Sequence, residues 1–156
     1  MEFIVVGVAI PQGSARAFLP KGGRRPIITS DNPRLRSWRH LVADEAQRHV
    51  TRIFRGPVRV QLHFWLPRPK SLTKKPDAPH LTRPDVDKCV RAIFDSLSRV
   101  AWADDSQVVG LTARKDYAPV DTPPFVAIRI TPLLPMPLPA SRPRRPADAG
   151  APALPL

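Results

Sequence analysis

The first apolar stretch, Phe3-Ile-Val-Val-Gly-Val-Ala-Ile10, has no polar interruption and predicts a buried strand over 3–10. Pro11-Gln-Gly-Ser14 ends it. Ala17–Leu19 and Pro26–Thr29 then flank Lys21-Gly-Gly-Arg24 as the arms of a small hairpin. A period of three and four follows, with Leu35, Trp38, Leu41, Val42, Ala46 and Val50 on one stripe and Arg34, Arg36, Arg39 and Arg48 between them. Asn32 or Asp31 supplies the cap of this helix and Pro33 its first turn. After Gly56-Pro57, Val58–Trp65 alternates as a half-buried strand. A second helix is expected from about Asp87 to Val100, with Val90, Ile93, Phe94, Leu97 and Val100 on its apolar stripe. Ser106–Ala113 and Pro124–Ile130 read as the closing strands. The expected class is α/β, a small mixed sheet with two main helices packed on it.

Two stretches carry no apolar period. Residues 67–84 hold five prolines with Arg68, Lys70, Lys74 and Lys75, which predicts a mobile basic loop longer than compact domains usually carry without a functional reason. Eight more prolines fall within residues 132–156, where an extended, disordered tail is expected beyond a domain of residues 1–131. The longest apolar run is far short of the ~20 residues of a membrane span. It also follows Glu2 rather than a basic segment, so a cytoplasmic chain with no membrane partner is expected. The single cysteine, Cys89, excludes a disulfide framework and a cysteine-based zinc site.

Charge changes the picture. Lys and Arg number 25 against 13 Asp and Glu, a net +12 that points to a polyanion, nucleic acid before membrane. Residues 132–156 contribute only +2 of this, so the basic character belongs to the folded body. Residues 1–84 carry 16 basic and 5 acidic side chains, whereas residues 85–105 set five aspartates against three cations. An acidic island in a basic chain suits a metal-dependent nuclease, in which bases hold phosphates and carboxylates hold a hard cation.

Asp85-Val-Asp87 follows Pro84, which cannot donate a backbone bond and biases Arg83 toward extended structure. In an extended segment Asp85 and Asp87 project to one side and Val86 to the core. Asp87 then caps the second helix, with Lys88 and Arg91 on its polar face. Alternatively, the pair are helix-terminal acids complementing the macrodipole, the commoner meaning of a bare Asp-x-Asp. Asp104-Asp105 sits at a helix-to-strand turn, and a short return into a paired strand would bring Asp105 beside Asp85 and Asp87. The histidines share no metal spacing, and the tryptophans are expected in the core or an interface.

The string Arg83-Pro-Asp-Val-Asp-Lys-Cys-Val-Arg-Ala-Ile-Phe-Asp-Ser-Leu97, followed by Val100-Ala-Trp-Ala-Asp-Asp-Ser-Gln-Val-Val109, resembles the RusA-type Holliday junction resolvases. These are bacterial, often prophage-encoded endodeoxyribonucleases, and the similarity spans about residues 3 to 131. The resemblance implies a dimeric α/β fold in which each protomer holds Mg²⁺ with three aspartates, here Asp85, Asp87 and Asp105. The family often has Asn where this chain has Lys88, and a functional lysine where it has Arg91. Both substitutions keep or add positive charge, but arginine does not give up a proton. The expected activity is Mg²⁺-dependent resolution of branched DNA by paired symmetric nicks. Arg91 or Lys88 would neutralise the phosphate, while Arg34, Arg36, Arg39, Lys70, Lys74, Lys75 and Arg83 would contact the DNA backbone. Two alternatives stay open: a non-catalytic basic DNA-binding protein, and an inactive prophage-derived relative in which Lys88 occupies the metal site.

Overall fold

The computed structural model describes residues 1–13, 16–23, 25, 27–29 and 33–133. Its elements are β1 (Glu2–Val6), β2 (Arg16–Phe18), β3 (Ile27–Thr29), α1 (Pro33–His49), β4 (Val58–Leu66), α2 (Val86–Leu97), β5 (Val108–Tyr117) and β6 (Phe125–Pro132). The main sheet has the order β1-β6-β4-β5, with β4 and β5 parallel and the other pairs antiparallel. β2 and β3 form the separate hairpin expected from the sequence. The α/β class with a mixed sheet and two helices is therefore observed.

The alternation along the strands fixes which face is buried. Phe3 and Val5, Val58 to Leu66 at every second position, and Val126, Ile128 and Ile130 all point to one side. Leu35, Trp38, Val42 and Ala46 of α1 join them, as do Cys89, Ala92, Ile93 and Leu97 of α2, in one hydrophobic core. The buried stripe of α2 is turned from the expected one, with Val90 and Phe94 only partly buried and Cys89, Ala92 and Ser96 fully so. The Ser96 hydroxyl is satisfied by donating to the Ala92 carbonyl at 2.7 Å.

Several boundaries differ from the sequence reading, each for a local reason. β1 stops at Val6 because Gly7 adopts φ 147° and turns the chain out of the ladder. A Cβ there would lie 3.1 Å from the buried Trp38 ring. Gly7→Ala is expected to destabilise the fold by about 1–3 kcal/mol, read as a shifted urea midpoint. α2 ends at Leu97 rather than Val100, since Arg99 takes φ 65° and the Val100 and Ala101 amides turn back to the Leu97 carbonyl. β5 begins two residues late, behind a 3-10 turn at Asp105–Gln107, and runs four residues further in register with β4. β6 continues through Pro132, and the Leu133 amide reaches the Pro57 carbonyl, so the folded body extends past 131. The proposed caps of α1 and residues 134–156 lie outside the described residues.

The expected mobile loop at 67–84 is instead tethered. The Arg68 guanidinium donates to the carbonyls of Ala118, Leu72, Lys75, Pro76 and Tyr117 and stacks over the Tyr117 ring. A turn at Lys70–Leu72 starts the segment, and His80, buried, packs on Tyr117 at 4.3 Å. The proline-rich stretch folds back on the end of β5.

Candidate active site

The parallel pairing of β4 and β5 decides the geography of the charged residues. Leu66 and Tyr117 pair at one end of the sheet and Val58 and Val108 at the other, with α2 running back between. α2 begins at the Tyr117 end, where Lys115 Nζ donates to the carbonyls of Thr82 and Pro84 at 2.7 and 2.9 Å. Asp85 stands at its N-cap in extended conformation and Asp87 in its first turn. Asp85, not Asp87, therefore occupies the capping position. Even so, its side chain makes no capping hydrogen bond.

The Asp85 carboxylate instead faces the Lys88 ammonium at 3.1 Å, with the two side chains 51% and 43% exposed. So open a pair contributes at most about 1 kcal/mol. Asp87 is exposed and makes no hydrogen bond or ion pair among the described residues. Arg91, one turn along, is exposed and equally unpaired among them. Cys89 lies beneath this turn. Burial pushes its thiol up to about 11, Lys115 opposes that shift, and Asp85 and Asp87 add to it. It is an inert core residue.

The same end of the sheet gathers most of the basic candidates. β1 also ends there, Val6 pairing with Phe125 and Phe125 with Trp65. The start of α1 follows it, in a groove shared by Gly7, Val8, Pro33 and Arg34. Arg34 and Arg36 thus stand on the first turn of α1, exposed. Lys70, Lys74, Lys75 and Arg83 are exposed on the tethered loop and make no ion pair among the described residues. Arg39 is placed differently. Its guanidinium bonds both the Gln12 amide oxygen and the Asp95 carboxylate, tying α1 to α2. The Gln12 backbone N–H in turn donates to the Lys88 carbonyl at 2.9 Å.

Asp105 lies elsewhere. Its carboxylate accepts from the indole N–H of the fully buried Trp102 at 2.7 Å. Gln107, in the same turn, donates to the carbonyls of Phe54 and Gly56 and so pins this turn to the Val58 end. The short return expected to bring Asp105 beside Asp85 and Asp87 does not do so. The three stand at opposite ends of α2, whose 12 residues span about 18 Å. Among the described residues no three acidic, histidine or cysteine side chains converge on one point. Asp104 is a structural acid: it caps the 3-10 turn by accepting from the Ser106 amide, and the Ser106 hydroxyl and then that amide hold its carboxyl below the ordinary value.

Residues 9–131 match the Endodeoxyribonuclease RusA family. The chain belongs to that family. Its sequence is also similar to the uncharacterized protein YqaN of Bacillus subtilis (strain 168), 31% identical over 128 residues, covering 76% of this chain and 88% of that protein. RusA-family nucleases act on branched DNA and are generally divalent-metal dependent. Asp85 and Asp87 have the right donor chemistry for such an ion, hard carboxylate oxygens left free of backbone donors. The Lys88 ammonium is a chain-borne cation already drawn to one of them. Among the described residues, a single chain supplies two such ligands at this point and not three.

Lys115 and Trp102 carry the weakest sequence signals of the residues at these two ends of α2. Lys115 is one lysine among 25 cations, with no motif around it. The only hint for Trp102 is its spacing of three from Asp105, which a 3-10 turn converts into a contact.

Proposed function

We propose that this RusA-family chain is a Mg²⁺-dependent endodeoxyribonuclease that resolves four-way DNA junctions by paired nicks as a homodimer. The observation that supports it best is the exposed Asp85–Asp87 pair at the end of the sheet that also carries Arg34, Arg36, Lys70, Lys74, Lys75, Arg83 and Arg91. Cations on three elements suit a bent or branched phosphate backbone, read by shape rather than sequence. Asp85 and Asp87 would hold the ion. Asp105, a helix length away in the same chain, would join them as Asp105 of the partner subunit, since a two-fold axis can bring opposite ends of two copies together. Two composite sites then serve two symmetry-related strands.

When bound, Mg²⁺ supplies Lewis-acid stabilisation of the scissile phosphate and acidifies a water. The chain's own residues do the rest. Lys88 leaves Asp85 free as phosphate approaches, and Lys88 and Arg91 offset the negative charge that builds on the phosphoryl oxygens. A guanidinium does not give up a proton, so the proton for the leaving 3′ oxygen does not come from Arg91.

The Lys88–Asp85 ion pair favours one other reading, a RusA-family protein that binds junctions without cutting them. A synthetic four-way junction separates the two. Paired nicks at symmetry-related phosphates in Mg²⁺, absent in EDTA, are expected; tight binding with intact strands in Mg²⁺ would establish the binding-only reading. No helix among the described residues is long and apolar enough to cross a membrane.

A further inference from the structure

We infer that Lys115 is the positioning residue of the acidic site: its ammonium clamps the backbone just ahead of α2 and thereby sets where Asp85 and Asp87 stand. This rests on the nuclease reading above. Lys115 is in register with the buried Phe64 and so lies on the helix-covered face of the sheet, beneath the start of α2. No carboxylate lies within ion-pair distance of it among the described residues. Its bonds go instead to the carbonyls of Thr82 and Pro84, on either side of Arg83 and immediately before Asp85. Bonds from a charged donor are the strong ones, and a hydrophobic side chain would fill the same space at lower desolvation cost. An ammonium there therefore has a purpose beyond packing.

The neighbours point the same way. Thr82 Oγ1 lies 3.5 Å from the Tyr117 hydroxyl, and His80 packs on that ring, so residues 80–82 are laid along β5 up to the clamp. Beyond it the chain enters α2, whose first helical bond runs from the Cys89 amide to the Asp85 carbonyl at 3.2 Å, and the next backbone tether is the Gln12 N–H on the Lys88 carbonyl at 2.9 Å. Neither Asp85 nor Asp87 is anchored through its side chain to backbone donors. Their placement is inherited from the backbone, and Lys115 is the side chain that holds that backbone.

The test uses Lys115→Met, which keeps the length and loses the charge, beside Lys115→Arg, which keeps donors. In the metal-free chain, hydrogen exchange at residues 89–92, the first protected amides of α2, is expected to rise about tenfold or more in Lys115→Met. Exchange in α1 and the melting temperature should stay near wild type. On a four-way junction in Mg²⁺, the single-turnover rate should fall by about 10²-fold, as for a reacting group displaced by an ångström, with junction affinity unchanged. Lys115→Arg should recover most of that rate. Unchanged exchange at 89–92, or a uniform rise that tracks a lower melting temperature, would overturn the clamp. A Lys115→Met chain that nicks at the wild-type rate would overturn it as well. If exchange rises locally but the wild-type chain never nicks, the nuclease reading falls while the clamp stands.

Discussion

Asp85→Asn, Asp87→Asn and Asp105→Asn are each expected to lower single-turnover nicking of a four-way junction by at least about 10²- to 10³-fold, the scale set by removing one electrostatic element of a phosphoryl-transfer site. Junction affinity measured in Ca²⁺ should hold or tighten, because each change removes a negative charge facing phosphates. Stability should move by no more than about 1 kcal/mol, since Asn serves as well as Asp at the N-cap position of Asp85 and the other two acids are exposed. The helix-length separation adds a sharper expectation. Mixed and reassociated Asp87→Asn and Asp105→Asn chains should regain roughly a quarter of the wild-type sites, because half the dimers then carry one intact composite site. A site confined to one chain allows no such rescue. Three variants that all cut at near wild-type rates would remove the carboxylate site altogether.

Arg91→Ala should cost about 10²-fold in the single-turnover rate while altering junction affinity by no more than severalfold. Arg91 is exposed on the turn that follows Asp87 and has no partner among the described residues, so removing it uncovers no buried charge and disturbs no packing. Its effect must therefore appear on the substrate. Arg91→Lys keeps the charge and should restore part of the rate, losing only the planar fork. If affinity falls and the rate at saturating junction does not, Arg91 is an ordinary backbone contact. Arg39→Ala provides the contrast: its guanidinium ties Asp95 and Gln12 together, so its loss should register first in stability.

The sequence by itself determined the inward face of β4 and most of that of α1, and what chemistry the chain carries. Val58 to Leu66 alternates because a strand has a period of two, and Leu35, Trp38, Val42 and Ala46 recur because a helix turns every 3.6 residues; both patterns are local and survive into the structure. The Asp85-Val-Asp87 motif, its following helix and the basic excess were equally legible, since each is written in contiguous residues. Boundaries were less so. Gly7 and Arg99 end their elements through positive φ values that composition does not announce.

What only the tertiary structure decided is where contiguous pieces lie relative to one another. Asp105 looked close to Asp85 and Asp87 because one short helix separates them, but β5 runs parallel to β4, and a parallel return places the strand's start at the far end of that helix. The proline-rich loop looked mobile until Arg68 found five carbonyls, and Lys115 had no significance until two more carbonyls came within reach of its ammonium. Backbone carbonyls are present at every residue and invisible to any residue pattern. Only folding selects which of them a distant cation will meet.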